Sequence, residues 1–277
     1  MQEIAENIYF ETNFPGVTLG AVNTKQGLLM IDSPIYGEDA RSWRSSLMNF
    51  NNNGNRLLVA LDAHHDRSLG LRNLECRLIG HEHLTAAYGS RPVSIKAQVQ
   101  ESGAEWEAYG GLGSIRWLVP EITFSDVLVL HWDEYPIRIE YHPGPATGAS
   151  WVVLPNSGIA FVGDAVISDQ PPFLADADIE QWIESLHVLL RPEYKNFTLV
   201  SGRSGLVSVK EVQQQIDFLE RMNAAFKKYS KRSLTSAESD NLAENFISTF
   251  TDRTMYFDRL KHGVAAYYEK HFVLSAD

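Results

Sequence analysis

Two apolar runs and the polar loop between them constrain this chain most. Leu57-Leu58-Val59-Ala60-Leu61 reads as a buried strand and Cys76-Arg77-Leu78-Ile79 as another. Between them lies Asp62-Ala63-His64-His65-Asp66-Arg67-Ser68-Leu69-Gly70. Loops leaving the carboxyl ends of strands are where α/β proteins place their chemistry. Asp62, His64 and Asp66 can give lone pairs to a cation, whereas the guanidinium of Arg67 can only donate.

The rest of the chain alternates in the same way. Asn7–Phe10, Val17–Val22 and Gly27–Asp32 read as strands, and residues 38–49 as a helix stopped by Asn51-Asn52-Asn53-Gly54-Asn55. Glu82–Tyr88 reads as a short helix. Residues 90–120, with Trp106, Tyr109, Gly110, Gly111, Gly113 and Trp117, are irregular and are expected to form a flap. A second β set follows at Val127–Leu130, Ile137–Tyr141, Trp151–Leu154 and Ile159–Val162. Asp178–Leu190 is expected to be helical and Phe197–Val200 a strand. Beyond Gly205 the pattern turns helical. Ser208-x-x-Glu211 and Thr235-x-x-Glu238 are capping boxes. Val209, Val212, Ile216, Leu219, Met222 and Phe226 give the first of these helices an apolar face, the second carries Leu242, Phe246 and Phe250, and a last helix carries Leu260, Val264, Tyr267 and His271.

Bulk properties exclude several classes. A net charge of −11 opposes nucleic acid and anionic membranes. The cluster Lys227-Lys228-Tyr229-Ser230-Lys231-Arg232 is expected to be a solvated helix end. Cys76 is the single cysteine, so no intrachain disulfide forms, and its strand context predicts a buried, inert thiol. No signal-peptide pattern opens the sequence and no apolar stretch approaches the ~20 residues of a membrane span, so a cytoplasmic protein is expected.

Five segments, in order, resemble markers of the metallo-β-lactamase superfamily. They are Leu29-Met30-Ile31-Asp32-Ser33-Pro34, the loop Asp62–Gly70, His142-Pro143-Gly144-Pro145-Ala146-Thr147-Gly148-Ala149-Ser150, Phe161-Val162-Gly163-Asp164, and Val200-Ser201-Gly202-Arg203-Ser204-Gly205. The resemblance covers about residues 5–205. It implies an α/β protein, an αββα sandwich over 1–206, followed by an all-helical C-terminal extension, 207–277, packed on it.

The resemblance also implies a two-zinc site, and here the sequence departs from it. Asp62 stands for the first histidine of the H-x-H-x-D-H motif, His64 and Asp66 match, and Arg67 replaces its last histidine. No histidine falls at the ligand position within 142–150, where Pro145, Ala146 or Thr147 lies. Asp164 matches the bridging position, and Arg203 replaces the final histidine. Arg67 and Arg203 thus bring charges that stand in for the second ion, and both are expected to pair with Asp66 and Asp164. Asp62, His64 and Asp164 remain as a candidate site for one divalent ion, zinc, manganese or iron, with none bound as the alternative. Asp66 would take part in catalysis only with a metal present. Asp32, His142 and Thr147 are expected to line the pocket, and Pro171-Pro172-Phe173-Leu174 either lines it or connects rigidly. His65 should point away from the site. His81 and His83 are read as capping a helix start, and Gly202-Arg203-Ser204-Gly205 as a strand-to-helix turn that fails the spacing of a nucleophile elbow.

Two function classes follow. One is a metal-dependent hydrolase-like protein, at most mononuclear, that lacks dizinc hydrolysis and acts on an unassigned ester, amide or phosphoester. The other is a non-catalytic binding or assembly module, open to a small-molecule ligand, whose helical extension packs on a partner or on a second copy as a homo-oligomer.

Overall fold

The computed structural model describes residues 1–50, 54–91, 107, 116–229 and 232–273. Among them, thirteen strands form two sheets. The first sheet runs in sequence order: β1 (Gln2–Ala5), β2 (Ile8–Glu11), β3 (Leu19–Asn23), β4 (Leu28–Ile31), β5 (Arg56–Val59), β6 (Arg77–His81) and β7 (Ile122–Phe124). Its first four strands pair antiparallel and β4 to β7 pair parallel. The second sheet has the order β13-β12-β11-β10-β9-β8, built from β8 (Val127–Leu130), β9 (Ile137–Tyr141), β10 (Ser150–Leu154), β11 (Ile159–Gly163), β12 (Thr198–Ser201) and β13 (Gly205–Val207). Within it only β11 and β12 are parallel.

Strands β4, β10 and β11 are buried along their whole length, which is why they read as unbroken apolar runs rather than alternating ones. Ile31, Val59, Val152, Phe161 and Val200 fill the space between the sheets. Gly20 of β3 lies directly against the second sheet. A Cβ there would stand 2.6 Å from the Phe161 ring, so only glycine fits.

The outer face of the first sheet is covered by α1 (Gly37–Leu47), which buries Trp43 and Leu47, and by α3 (His83–Gly89), which buries Tyr88. The outer face of the second carries α4 (Ile179–Leu189), α5 (Val209–Phe226), α6 (Ser236–Ile247) and α7 (Arg253–Tyr268). The four layers make the expected αββα sandwich. Trp151, Val162, Trp182, Leu219, Met222, Leu260 and Val264 belong to one apolar cluster, so α5 to α7 share a core with the second sheet. Both capping boxes form: the Ser208 amide donates to Glu211 at 2.7 Å and the Thr235 amide to Glu238 at 2.8 Å. No described helix is long and apolar enough to cross a membrane.

Several expectations change. Residues 202–204 connect two antiparallel strands, β12 and β13, and not a strand to a helix. Strands β1, β7 and β13 are absent from the sequence reading; each is three or four residues long and too short for alternation to register. Cys76 is half-buried just before β6, where burial pushes its thiol up to about 11. Of the expected flap, Trp106, Tyr109, Gly110, Gly111 and Gly113 lie outside the described residues, as do Asn51, Asn52 and Asn53. Trp117 is described, and its ring stacks on Tyr88.

Candidate functional site

The site lies beyond the parallel neighbours β4 and β5 of the first sheet and β11 and β12 of the second. Asp32 follows β4, the Asp62–Asp66 loop follows β5, Asp164 follows β11 and Arg203 follows β12. Asp32 adopts a left-handed backbone, φ +59°, which aspartate tolerates better than most residues. It lets the Asp32 carboxylate turn back and accept the Leu61 amide at 2.9 Å. Asp62 closes an Asx-type turn by accepting the His64 amide at 2.8 Å. That turn starts α2 (His65–Ser68), which points Arg67 inward.

Arg67 is fully buried. Its guanidinium donates to Asp32 at 3.1 Å, reaches Asp164 Oδ1, and has its Nε 3.3 Å from Asp62 Oδ1. It packs flat against the backbone of residue 202, where a Cβ would stand 2.4 Å from Arg67 Nη1. Arg203 donates from Nε to Asp164 Oδ2 at 2.8 Å and from Nη1 to Asp66 and to the Gly16 carbonyl. Arg203 therefore bridges Asp66 and Asp164. Arg67 shares Asp164 but takes Asp32 and Asp62 as its other partners instead of Asp66. The sequence reading left out the Asp32 contact because the separation of 35 residues hides it.

His64 Nδ1 stands 2.9 Å from Asp164 Oδ2 and 3.3 Å from Asp62 Oδ1. Burial opposes its charge, but the two carboxylates outweigh burial and raise its pKa to about 9. Asp62 and Asp164 are both held below the usual carboxylate range: burial works against this, and the arginines and His64 prevail. Asp32 goes the other way. Burial pushes it up to about 7, and Arg67 only partly offsets that. Four carboxylates thus face two guanidinium groups and one imidazole that favours its proton.

The donor atoms of Asp62, His64 and Asp164 all lie within 4.8 Å of one another. A carboxylate-rich set of this kind fits a single divalent ion once His64 gives up the proton it shares with Asp62 and Asp164. The second position of the resemblance does not fit an ion. Asp66 and Asp164 face Arg203 there, and guanidinium has no lone pair to give.

The other expected residues fall elsewhere. His142 stacks on Trp151 at 3.5 Å and stands 3.1 Å from Glu140, away from the cluster. Thr147 exposes its side chain, and its carbonyl accepts the Ala63 amide at 3.1 Å. His65 packs against Trp117, pointing away from the carboxylates. His81 accepts the His83 amide at 3.3 Å, at the start of α3. Phe173 does reach the site: its ring lies 5.0 Å from the His64 ring and 4.3 Å from Arg203 Cζ. Two further residues brace the loop without having been singled out. Tyr88 donates to the Asp62 carbonyl at 3.2 Å, and Arg91 donates to the Ala63 carbonyl. Their sequence context, the end of a short helix, carries no signal of this.

No protein-family model and no curated protein matches the sequence. The fold, in contrast, has many counterparts. A metallo-beta-lactamase from Pontibacter korlensis superposes with a TM-score of 0.59 at 16% identity, covering 79% of this chain and 97% of its own. A metallo-beta-lactamase family protein from Thermus thermophilus gives 0.66 at 15% identity, covering 94% and 93%. The inverting sec-alkylsulfatase Pisa1 from Pseudomonas sp. gives 0.72 at 13% identity, covering 98% of this chain, which spans half the length of that one. The chain has the metallo-β-lactamase fold. The last two structures cover too much of it to leave out the helical extension.

Proposed function

We propose that this is a hydrolase-like protein of the metallo-β-lactamase fold that has given up two-metal hydrolysis. The observation that carries the reading is the occupancy of Asp164. Both of its oxygens face arginine, Oδ1 facing Arg67 and Oδ2 facing Arg203, at the position that the sequence resemblance assigns to the bridge between ions. Two buried cations that cannot dissociate take the place of one that could. At most one divalent ion is accommodated, held by Asp62, His64 and Asp164. Such an ion supplies a bound water of lowered pKa. The chain's own part is to fix that donor set: Tyr88 and the Asx turn hold the Asp62 loop, and Arg203 orients Asp164.

The alternative is a binding or assembly module without catalysis. It is favoured by the pairing of all four carboxylates with protein donors, which leaves the centre stable without an ion. Metal analysis decides between stoichiometries. Protein purified without chelator, then offered zinc, manganese and iron, is expected to hold no more than one ion per chain, lost in His64→Ala. Two ions per chain would refute the reading. None under any condition would move it to the binding module.

A further inference from the structure

Arg259 links the C-terminal extension to an aromatic ring at the candidate site. Arg259 of α7 is buried, 3% exposed. Its guanidinium donates to Gln170 Oε1 at 2.9 Å and to the Pro171 carbonyl. Its Cζ lies 4.1 Å from the centre of the Phe173 ring and 4.6 Å from that of Tyr256. Arg203 approaches the same Phe173 ring to 4.3 Å, and the ring borders His64 at 5.0 Å. One aromatic ring therefore contacts the extension's cation and the site's cation together.

The same helix pins the segment beyond Phe173. Gly263 lies one turn after Arg259, on the same face. A Cβ at Gly263 would stand 3.2 Å from Leu174, so α7 lies against the segment at that point. Just past α7, His271 is 3.0 Å from the Ala177 carbonyl. Residues 170–177 are thus held at three places by the C-terminal helix, and the segment begins six residues after Asp164.

We infer that Arg259 is a positioning residue for the candidate site: it fixes Phe173 as the cover over His64 and Arg203. The extension is then part of the site's framework, whether or not an ion binds, and the inference rests on this contact chain rather than on the metal stoichiometry proposed above. A guanidinium suits the task because it is planar. It can stack on Phe173 while its edge donates to Gln170 and Pro171, which an ammonium group cannot do. Cation–π contacts are worth most where water is excluded, as here.

Hydrogen–deuterium exchange of the full chain in chelator, read by peptide mass spectrometry, tests the chain of contacts. Arg259→Gln is expected to speed exchange about tenfold in 168–176 and also in 62–69 and 201–205, with the β4, β5 and β10 peptides unchanged. Arg259→Lys should restore little of the protection. Phe173→Leu, which leaves Arg259 in place, should speed exchange in 62–69 and 201–205 alone. Faster exchange confined to 168–176 in Arg259→Gln would overturn the inference, since α7 would then hold the segment without influencing the site. Uniform acceleration of all peptides in Arg259→Gln would overturn it too, by making the residue merely structural. If Arg259→Gln does not fold, Phe173→Leu decides: unchanged 62–69 and 201–205 refutes the cover. Because no metal is present, these outcomes are independent of whether the protein proves mononuclear or metal-free.

Discussion

Arg67→Ala isolates the substitution of an ion by a side chain. The native guanidinium is fully buried and contacts Asp32, Asp62 and Asp164. Removing one partner of a buried ionic network leaves charge uncompensated and costs about 3–5 kcal/mol. Asp164 keeps Arg203 and His64, and Asp62 keeps His64, but Asp32 loses its cation and a large cavity opens, so the upper half of that range is expected. For a domain of this size each kcal/mol lowers Tm by roughly 2–4 °C, so the fall should be about 10 °C or more. The variant also vacates space beside three carboxylates, which should create a demand for a cation. An ion binding only the folded state stabilises it by about 2.7 kcal/mol at a hundred times its Kd. Thermal and urea unfolding are therefore compared in chelator and in zinc, for native protein and variant. The variant should be strongly destabilised in chelator and should regain more with zinc than the native protein does. Arg67→Met, which keeps most of the volume, controls for the cavity and should regain less. Equal zinc stabilisation of native protein and Arg67→Ala would refute the idea that Arg67 fills a cation's place, and so would an Arg67→Ala variant as stable as the native protein.

Other expectations follow from the same geometry. His64 is pushed up to about 9 from an unfolded value near 6.5, so its stabilising contribution is complete below that lower value and lost as pH rises through the folded one. Stability should drop by up to about 1.4 kcal/mol per pH unit across that window, and the slope should flatten in His64→Gln, as measured by urea midpoints. Asp32, pushed up to about 7, acts in the same sense at lower pH: its folded form holds a proton that the unfolded chain releases, so stability falls as pH rises from about 4 to 7 and Asp32→Asn should weaken that fall. Gly202→Ala forces a Cβ to within 2.4 Å of Arg67 and should destabilise by about 1–3 kcal/mol, visible in thermal unfolding. Thr235→Ala removes the cap of α6 and should cost about 1 kcal/mol, with little change in the exchange of the 62–69 peptide.

The parts of this fold that were legible in sequence are those where one local rule acts alone. Val127–Leu130 carries its strand boundaries in an apolar run and Ile137–Tyr141 in an alternation of apolar and charged residues, and Ser208 and Thr235 announce helix starts by their partners three residues on. The site was legible as a set of residues: Asp62, His64 and Asp164 do converge. Its pairing was not. The partner of Arg67 at Asp32 depends on a left-handed turn after β4, and nothing in the composition of Ile31-Asp32-Ser33-Pro34 says which way that carboxylate will turn. His142 illustrates the opposite error. It is close in sequence to the site segment, but its ring stacks on Trp151 and faces Glu140, and neither partner belongs to the carboxylate cluster. Arg259 carried a faint signal, a charged residue on the apolar face marked by Tyr256, Leu260 and Gly263, but its role depends on a loop nearly ninety positions earlier.

The charge cluster has a bearing on how the chain acquires its shape. Its ties span 35 residues from Asp32 to Arg67, 97 from Arg67 to Asp164, 137 from Asp66 to Arg203 and 187 from Gly16 to Arg203. Contacts so distant in sequence close slowly, because the intervening chain must first be ordered. The arginines meet their carboxylates only when β4, β5, β11 and β12 are in the correct register, since a slip of one residue turns every side chain to the opposite face. A sandwich docked out of register would bury Arg67 without its anions, so the cluster penalises that misassembly by the cost of an unpaired buried charge.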